Sequence, residues 1–245
     1  MVRLITIPFS HYCEKARWAL DRAGVDYIEE GHLPIFHWRA NRRVGAGRTV
    51  PVLVDGSRVL GESTEIVEWA DQQRPHSLLP TGAALAEALA LEDEFDRVLG
   101  PATRRWAYFH LLSRRELVMR FAVDVPRWET IALRFTRPIA VGMIRRSLKI
   151  DEAGVARSHG KIEATLARVS ELLGDGRRYL VGDRFSVADL TFAALMVPAV
   201  LPSELPARIP AVEDLPAAAS TQISAWRATP AGQFALRLYR EDRAS

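Results

Sequence analysis

Val2, Leu4, Ile5 and Ile7 open the chain as a run of β-formers, which predicts a strand over 2–7. Residues 12–23 then take helical spacing and stop at Gly24. "VDYIEEG", 25–31, predicts a second strand, and 34–43 a short, poorly patterned helix. In "TVPVLVDGSRVLGES" two β-rich runs, 49–54 and 57–60, flank Asp55-Gly56, the signature of a hairpin. The helix predicted over 62–74 turns Ile66, Val67 and Trp69 to its buried side. The order β-α-β-α-β-β-α describes a small α/β layer with one crossover and a terminal hairpin.

"PHSLLPTG", 75–82, interrupts this pattern with two prolines and a glycine and reads as a boundary. It separates a first domain, 1–78, from a second, 84–245, with no strand signal. Residues 83–111 are helical, with a kink or break required at Gly100-Pro101. Over 113–149 apolar residues alternate with arginines, Pro126 and Pro138 divide the stretch, and no single period emerges. Helices are expected over 152–173 and, almost wholly apolar and hence central, over 186–197. A proline-rich loop from Pro198 to Pro216 and a last helical stretch over 217–239 complete the reading. The fold class is α/β followed by all-α.

The 48% apolar and 26% charged content of the 245 residues is ordinary for a soluble globular protein. No apolar run reaches the ~18 residues of a membrane span. A single cysteine permits no internal disulfide, which fits a reducing, cytoplasmic setting. The net charge of +3 is unevenly spread: residues 97–149 hold twelve Lys/Arg against Glu116, Asp124 and Glu129. Such a stretch can attract nucleic acid, anionic lipid or an anionic ligand, or simply form a solvated face. Without a nucleic-acid module signature, nucleic acid is not expected as a partner.

Candidate chemistry clusters in the first 63 residues. "SHYC", 10–13, places the only cysteine, Cys13, in the first turn of a helix, with Ser10 where a C-x-x-C pair would have its first thiol. Val50-Pro51 opens a strand; it is either an edge-strand proline or a cis turn that leaves the Val50 backbone free to pair with an extended peptide. Ser63 reads as the N-cap of the next helix, and Glu62 beside it is placed to meet an ammonium group. "SVAD", 186–189, is a capping box and reads as structural. The six histidines show no metal-ligand spacing, so no metal is expected.

Strand, "SHYC", helix, Val50-Pro51, Glu62-Ser63 and the late "GDRFSVADL" occur in an order that resembles the glutathione transferase superfamily, over residues 2 to about 197 and weakly over 113–149. The resemblance implies a thioredoxin-like N-terminal domain, an all-helical C-terminal domain, a cytoplasmic homodimer working in detoxification, and glutathione as co-substrate. By position, Val50, with Pro51, would hold the cysteinyl backbone of glutathione, and Glu62 and Ser63 its γ-glutamyl end. Ser10 matches the serine that theta, phi and zeta classes aim at the glutathione sulfur. Arg48 is the candidate cation for the glycyl carboxylate, with Arg39, Arg42 and Arg43 as rivals; His11, Tyr12 and Cys13 are secondary contacts. "SHYCEK" is similar to chi-like bacterial members.

The expected function is conjugation of the glutathione thiolate to a small apolar electrophile held between the domains. Two alternatives stand beside it. One is glutathione-dependent disulfide reduction or deglutathionylation through Cys13. The other is a non-catalytic binding protein of the same fold, with 113–149 reshaping the cleft.

Overall fold

The computed structural model describes residues 1–120, 123–207 and 209–243. Positions 121–122 of the unassigned stretch and 208 of the proline-rich loop lie outside the described residues. In chain order the elements are β1 (Val2–Thr6), α1 (His11–Arg22), β2 (Tyr27–Gly31), α2 (His37–Arg43), β3 (Val52–Asp55), β4 (Arg58–Leu60) and α3 (Ser63–Gln73). Then follow α4 (Ala83–Glu94), α5 (Gly100–Leu111), α6 (Arg115–Arg120), α7 (Arg127–Ser147), α8 (Glu152–Leu172), α9 (Val187–Val200), α10 (Ala217–Ala228) and α11 (Pro230–Glu241).

The four strands form one sheet in the order β2-β1-β3-β4. β1 pairs parallel to β2 through the α1 crossover, and antiparallel to β3 with Leu4 opposite Leu53. β3 and β4 close the predicted hairpin. This is the thioredoxin-like layer, followed by helices alone. Alternation along β1 and β3 sends Leu4 and Leu53 to the face covered by α1 and α3, and Ile5, Val52 and Val54 to the face covered by α2. The first face opens into the main core: Trp18 and Ile66 share one apolar cluster with Phe95, Leu190, Phe192 and Leu238 of the helical half.

Prolines account for most departures from the sequence pattern. α4 and α5 do not break at Gly100-Pro101; a single π-helical turn, Phe95–Leu99, joins them. In that turn the Gly100 N–H bonds to the Phe95 carbonyl, five residues back. The partner due to the Asp96 carbonyl would be the N–H of residue 101, which proline lacks. α9 runs on through Pro198 to Val200 because Ala199 and Val200 are fully buried, so packing outweighs the lost bond. The last stretch is two helices, divided at Thr229-Pro230, where Thr229 caps α11 by accepting from the Gly232 N–H (3.0 Å). The unassigned stretch forms α6 and α7, with Pro138 exposed inside α7.

Candidate functional site

β1 delivers the chain to the N-terminus of α1. Ser10 has extended backbone and caps the helix, its Oγ accepting from the Cys13 N–H at 3.4 Å. The helix therefore starts at His11, one residue earlier than its periodicity suggests. The capping bond uses a lone pair of Ser10; its O–H can donate, either to the adjacent Cys13 sulfur or into the cavity. Ser10 lines a cavity of about 320 Å³ between the sheet layer and the helices.

Its neighbours are committed elsewhere. The Tyr12 hydroxyl donates to the Asp96 carbonyl (2.8 Å), the group that Pro101 leaves without a partner. Burial and the Asp96 charge push the Tyr12 phenol above its ordinary range. His11 Nε2 meets the Gly100 carbonyl at 2.9 Å, and burial together with the Arg104 charge lowers its pKa to about 3, so the ring is neutral. A Cβ on Gly100 would come within 2.2 Å of the Tyr12 hydroxyl, so only glycine allows this approach. Cys13 is fully buried and does not line the cavity. Its Sγ accepts from the Ile7 N–H at 3.5 Å, and burial pushes its pKa up to about 11.

The second wall is the 46–51 loop. Its carbonyls are held by α2: His37 Nε2 lies 2.8 Å from the Arg48 oxygen, and Trp38 Nε1 donates to the same oxygen at 3.2 Å. The Asn41 amide donates to the Gly47 and Thr49 oxygens at 2.9 and 2.7 Å. The Val50-Pro51 bond is cis. Val50 lines the cavity and Pro51 is buried behind it. Arg48 lines the cavity rim, its guanidinium 5.1 Å from the Trp38 ring centroid. Arg39 and Arg43 line a separate hollow near His32 and Trp128, away from this cavity; Arg42 lines neither.

At the head of α3 the cap differs from the expected one. Glu62, with extended backbone, occupies the N-cap position, and Ser63 is the first helical residue, buried. The Glu65 carboxylate accepts from the Gly61 and Glu62 N–H groups at 3.2 and 3.3 Å. Glu62 and Ser63 lie outside the cavity lining, although the Glu62 charge contributes to raising the Tyr12 pKa. The third wall is apolar and helical: Trp106 and Leu111 of α5, Ile144 of α7, Leu201 after α9 and Ile223 of α10. Tyr108 of α5 also lines the cavity; Phe109 does not.

Sequence reasoning missed several groups. Trp38 and His37 carry only a weak helical pattern, so their hold on Arg48 was not legible. Arg104 lines the cavity from α5 beside Tyr12 (5.9 Å to the ring centroid), and no described carboxylate pairs with it. The charged residues lining the cavity are thus Arg48 and Arg104, both cations. Beneath the site, Lys15 of α1 is fully buried between Glu92 and Asp96 (2.6 Å), and the Thr64 hydroxyl donates to Glu92 at 2.5 Å and lies 3.2 Å from the Asp96 carboxylate. Burial works against ionisation of both acids. Lys15 more than offsets it for Glu92, whose pKa is lowered, while Asp96 stays raised.

Residues 4–78 match the family model described as glutathione S-transferase, N-terminal domain, and 152–226 the one described as glutathione S-transferase, C-terminal domain. No curated protein matches the chain in sequence. Among solved structures, a glutathione S-transferase from Xanthobacter autotrophicus Py2 superposes with a TM-score of 0.64 at 18% identity, over 98% of this chain and 93% of that one. A beta-etherase from Sphingobium sp. strain SYK-6 gives 0.61 at 18%, over 96% and 98%. A theta class glutathione S-transferase from Xanthomonas axonopodis pv. citri, with glutathione bound, gives 0.57 at 23%, over 96% of each chain.

Proposed function

As the chain belongs to the glutathione transferase superfamily, we propose that it is a glutathione transferase in which Ser10 ionises the bound thiol and the cavity holds a small apolar electrophile. The observation that carries this reading is the Ser10 hydroxyl: it sits at the mouth of α1, accepts from the helix and lines the cavity, where a bound thiolate, a stronger acceptor than the neutral Cys13 thiol, would draw its proton. An unperturbed thiol is only ~3% thiolate at neutral pH. A hydroxyl donor and the positive end of the α1 dipole both favour the anion. Val50 pairs with the cysteinyl backbone of glutathione, Arg48 meets the glycyl carboxylate, and Glu62 with Ser63 takes the γ-glutamyl end. The thiolate then forms the S–C bond, and the electrophile's leaving group departs with its electron pair. His11, neutral to about pH 3, does not serve as the cation in this scheme. A homodimer working in the cytoplasm on detoxification goes with this reading.

The reductase alternative requires Cys13 to meet a substrate. Its burial and its pKa near 11 weigh against that. Retention on immobilised glutathione, followed by a panel of electrophiles, tests the proposal, and absence of binding at millimolar glutathione removes it. Ser10→Ala is expected to cost ~1.5–3 kcal/mol of thiolate stabilisation, roughly 10- to 150-fold in rate at neutral pH. That loss shrinks as pH rises, because the thiolate then forms unaided. A pH-independent loss would reduce Ser10 to a positioning role.

A further inference from the structure

Eight large apolar side chains are exposed among the described residues, and five of them lie on α7: Trp128 (47%), Ile131 (56%), Phe135 (81%), Ile139 (68%) and Met143 (44%). Their spacing of three and four residues gathers them within roughly a third of the helix circumference. The face of α7 that packs on the protein is a different one, carrying Glu129, Leu133 and Ala140. Arg127, Arg134 and Arg145 line up along one flank of the apolar stripe, and Arg146 stands at its C-terminal end. All four are exposed, and no described carboxylate lies within ion-pair distance of them. The single acid of the helix, Glu129, is fully buried, held by His32 Nδ1 (2.5 Å) and the Leu33 N–H (2.8 Å). The outer surface of α7 is therefore apolar and cationic, with no negative charge of its own.

We propose that α7 is a membrane-docking helix, which lays its apolar stripe into the interface of a bilayer bearing anionic headgroups. The charge pattern selects the partner. A second copy packed α7 on α7 would bring each arginine row against another stripe with no acid to receive it. The stripe is also a convex ridge along one helix, about 23 Å from Trp128 to Met143 by the rise per residue. A ridge suits a deformable surface, whereas a helical partner needs a groove. No described helix is long and apolar enough to cross a membrane, so α7 lies on the surface. The docking has a consequence for the cavity: Met143 of the stripe and the adjacent Ile144 also line it. Docked this way, the cavity opens close to the layer in which apolar compounds accumulate.

The test is co-sedimentation of the full chain with vesicles of phosphatidylcholine alone and with added phosphatidylserine, at low and high salt. Binding to the anionic vesicles only, weakening with salt, is expected. Arg134→Gln, Arg145→Gln and Arg146→Gln should each weaken it about fivefold. Phe135→Asp with Ile139→Asp should weaken it at least tenfold without shifting the thermal melt, since both side chains are already in solvent. No binding to anionic vesicles at low salt overturns the proposal, as does binding that the Phe135/Ile139 variant leaves intact. A concentration-dependent oligomer that this variant dissociates, without vesicle binding, would assign the face to a second copy instead and equally overturn it.

Discussion

Ser10 and Cys13 sit one helical turn apart and differ in nearly every property that matters for sulfur chemistry. Ser10 is half-buried, points its oxygen at the head of α1 and lines the cavity. Cys13 is sealed in the core, where burial disfavours the thiolate even though Arg17 and the Ile7 N–H oppose that trend. With a pKa near 11, only about one thiol in ten thousand is ionised at neutral pH. Cys13→Ala is therefore expected to leave any glutathione-dependent turnover within about twofold of wild type, and iodoacetamide should label native Cys13 far more slowly than the unfolded chain. Rapid labelling of the native protein together with lost activity in Cys13→Ala would restore the reductase reading. At this scale the sequence was informative because the signals are local: the Ser10 cap, the Val50-Pro51 turn and the head of α3 are each shaped by adjacent residues. The structure moved the α3 cap from Ser63 to Glu62, a one-residue shift that composition alone does not resolve, since either residue can accept at a helix start.

Among the elements, α1 carries a buried ion-pair anchor that was invisible in sequence. Lys15 meets Glu92 and Asp96, residues 77 and 81 positions away. No spacing rule links groups that far apart. Lys15→Met should cost ~3–5 kcal/mol in urea unfolding, because it strands two buried carboxylates. The loss should diminish as pH falls, since the stranded acids then bind protons and lose their charge; a variant equally destabilised at all pH values would contradict this account. α7 escaped sequence reading for a different reason. Its apolar residues occupy both the packed face and the solvent stripe, so a single amphipathic period does not emerge, and Pro138 suggested a break. Being on the exposed side, Pro138 frees a carbonyl that water can satisfy. β1, β3, α1, α3 and α9 were legible, by contrast, because each buries one face or most of its length; β4 was legible through the Asp55-Gly56 turn that pairs it with β3.

Across the whole molecule the two halves are joined by more than the main core. Arg243, near the C-terminus, reaches back to Glu14 and Asp21 of α1, each at 2.8 Å. The Val187 N–H bonds to the Leu78 carbonyl at 2.8 Å, fixing the linker against the start of α9. A further tie is pH-sensitive: His32 follows β2 and bonds to Glu129 of α7, with Glu30 on its other nitrogen at 3.1 Å. The hydrogen bond to Glu129 raises the His32 pKa despite partial burial. The sign follows from linkage. The stabilisation is complete below the unfolded histidine value of about 6.5 and is lost as pH rises through the higher folded value. The stability difference between wild type and Glu129→Gln, which keeps an acceptor for Leu33, should therefore be largest in mild acid and shrink toward alkaline pH. In an NMR titration, His32 should titrate above the ordinary range in wild type and return to it in the variant. A gap that does not change with pH would mean that the imidazolium is not what Glu129 stabilises.

The widened turn at Phe95–Leu99 acts on this molecule as a phase shift. A helix carries angular information: each residue advances the direction of the side chains by about 100°, so one extra residue in a turn rotates everything that follows. Upstream of the turn, α4 points Glu92 at Lys15; downstream, α5 points Arg104, Ala107, Tyr108 and Leu111 at the cavity. The two sets are in register with different neighbours because the turn resets the angle between them. Deleting one residue there would produce a more regular helix, and would swing the cavity wall about a quarter turn out of alignment with α1. The irregularity is thus what lets one continuous rod serve two facing surfaces at once.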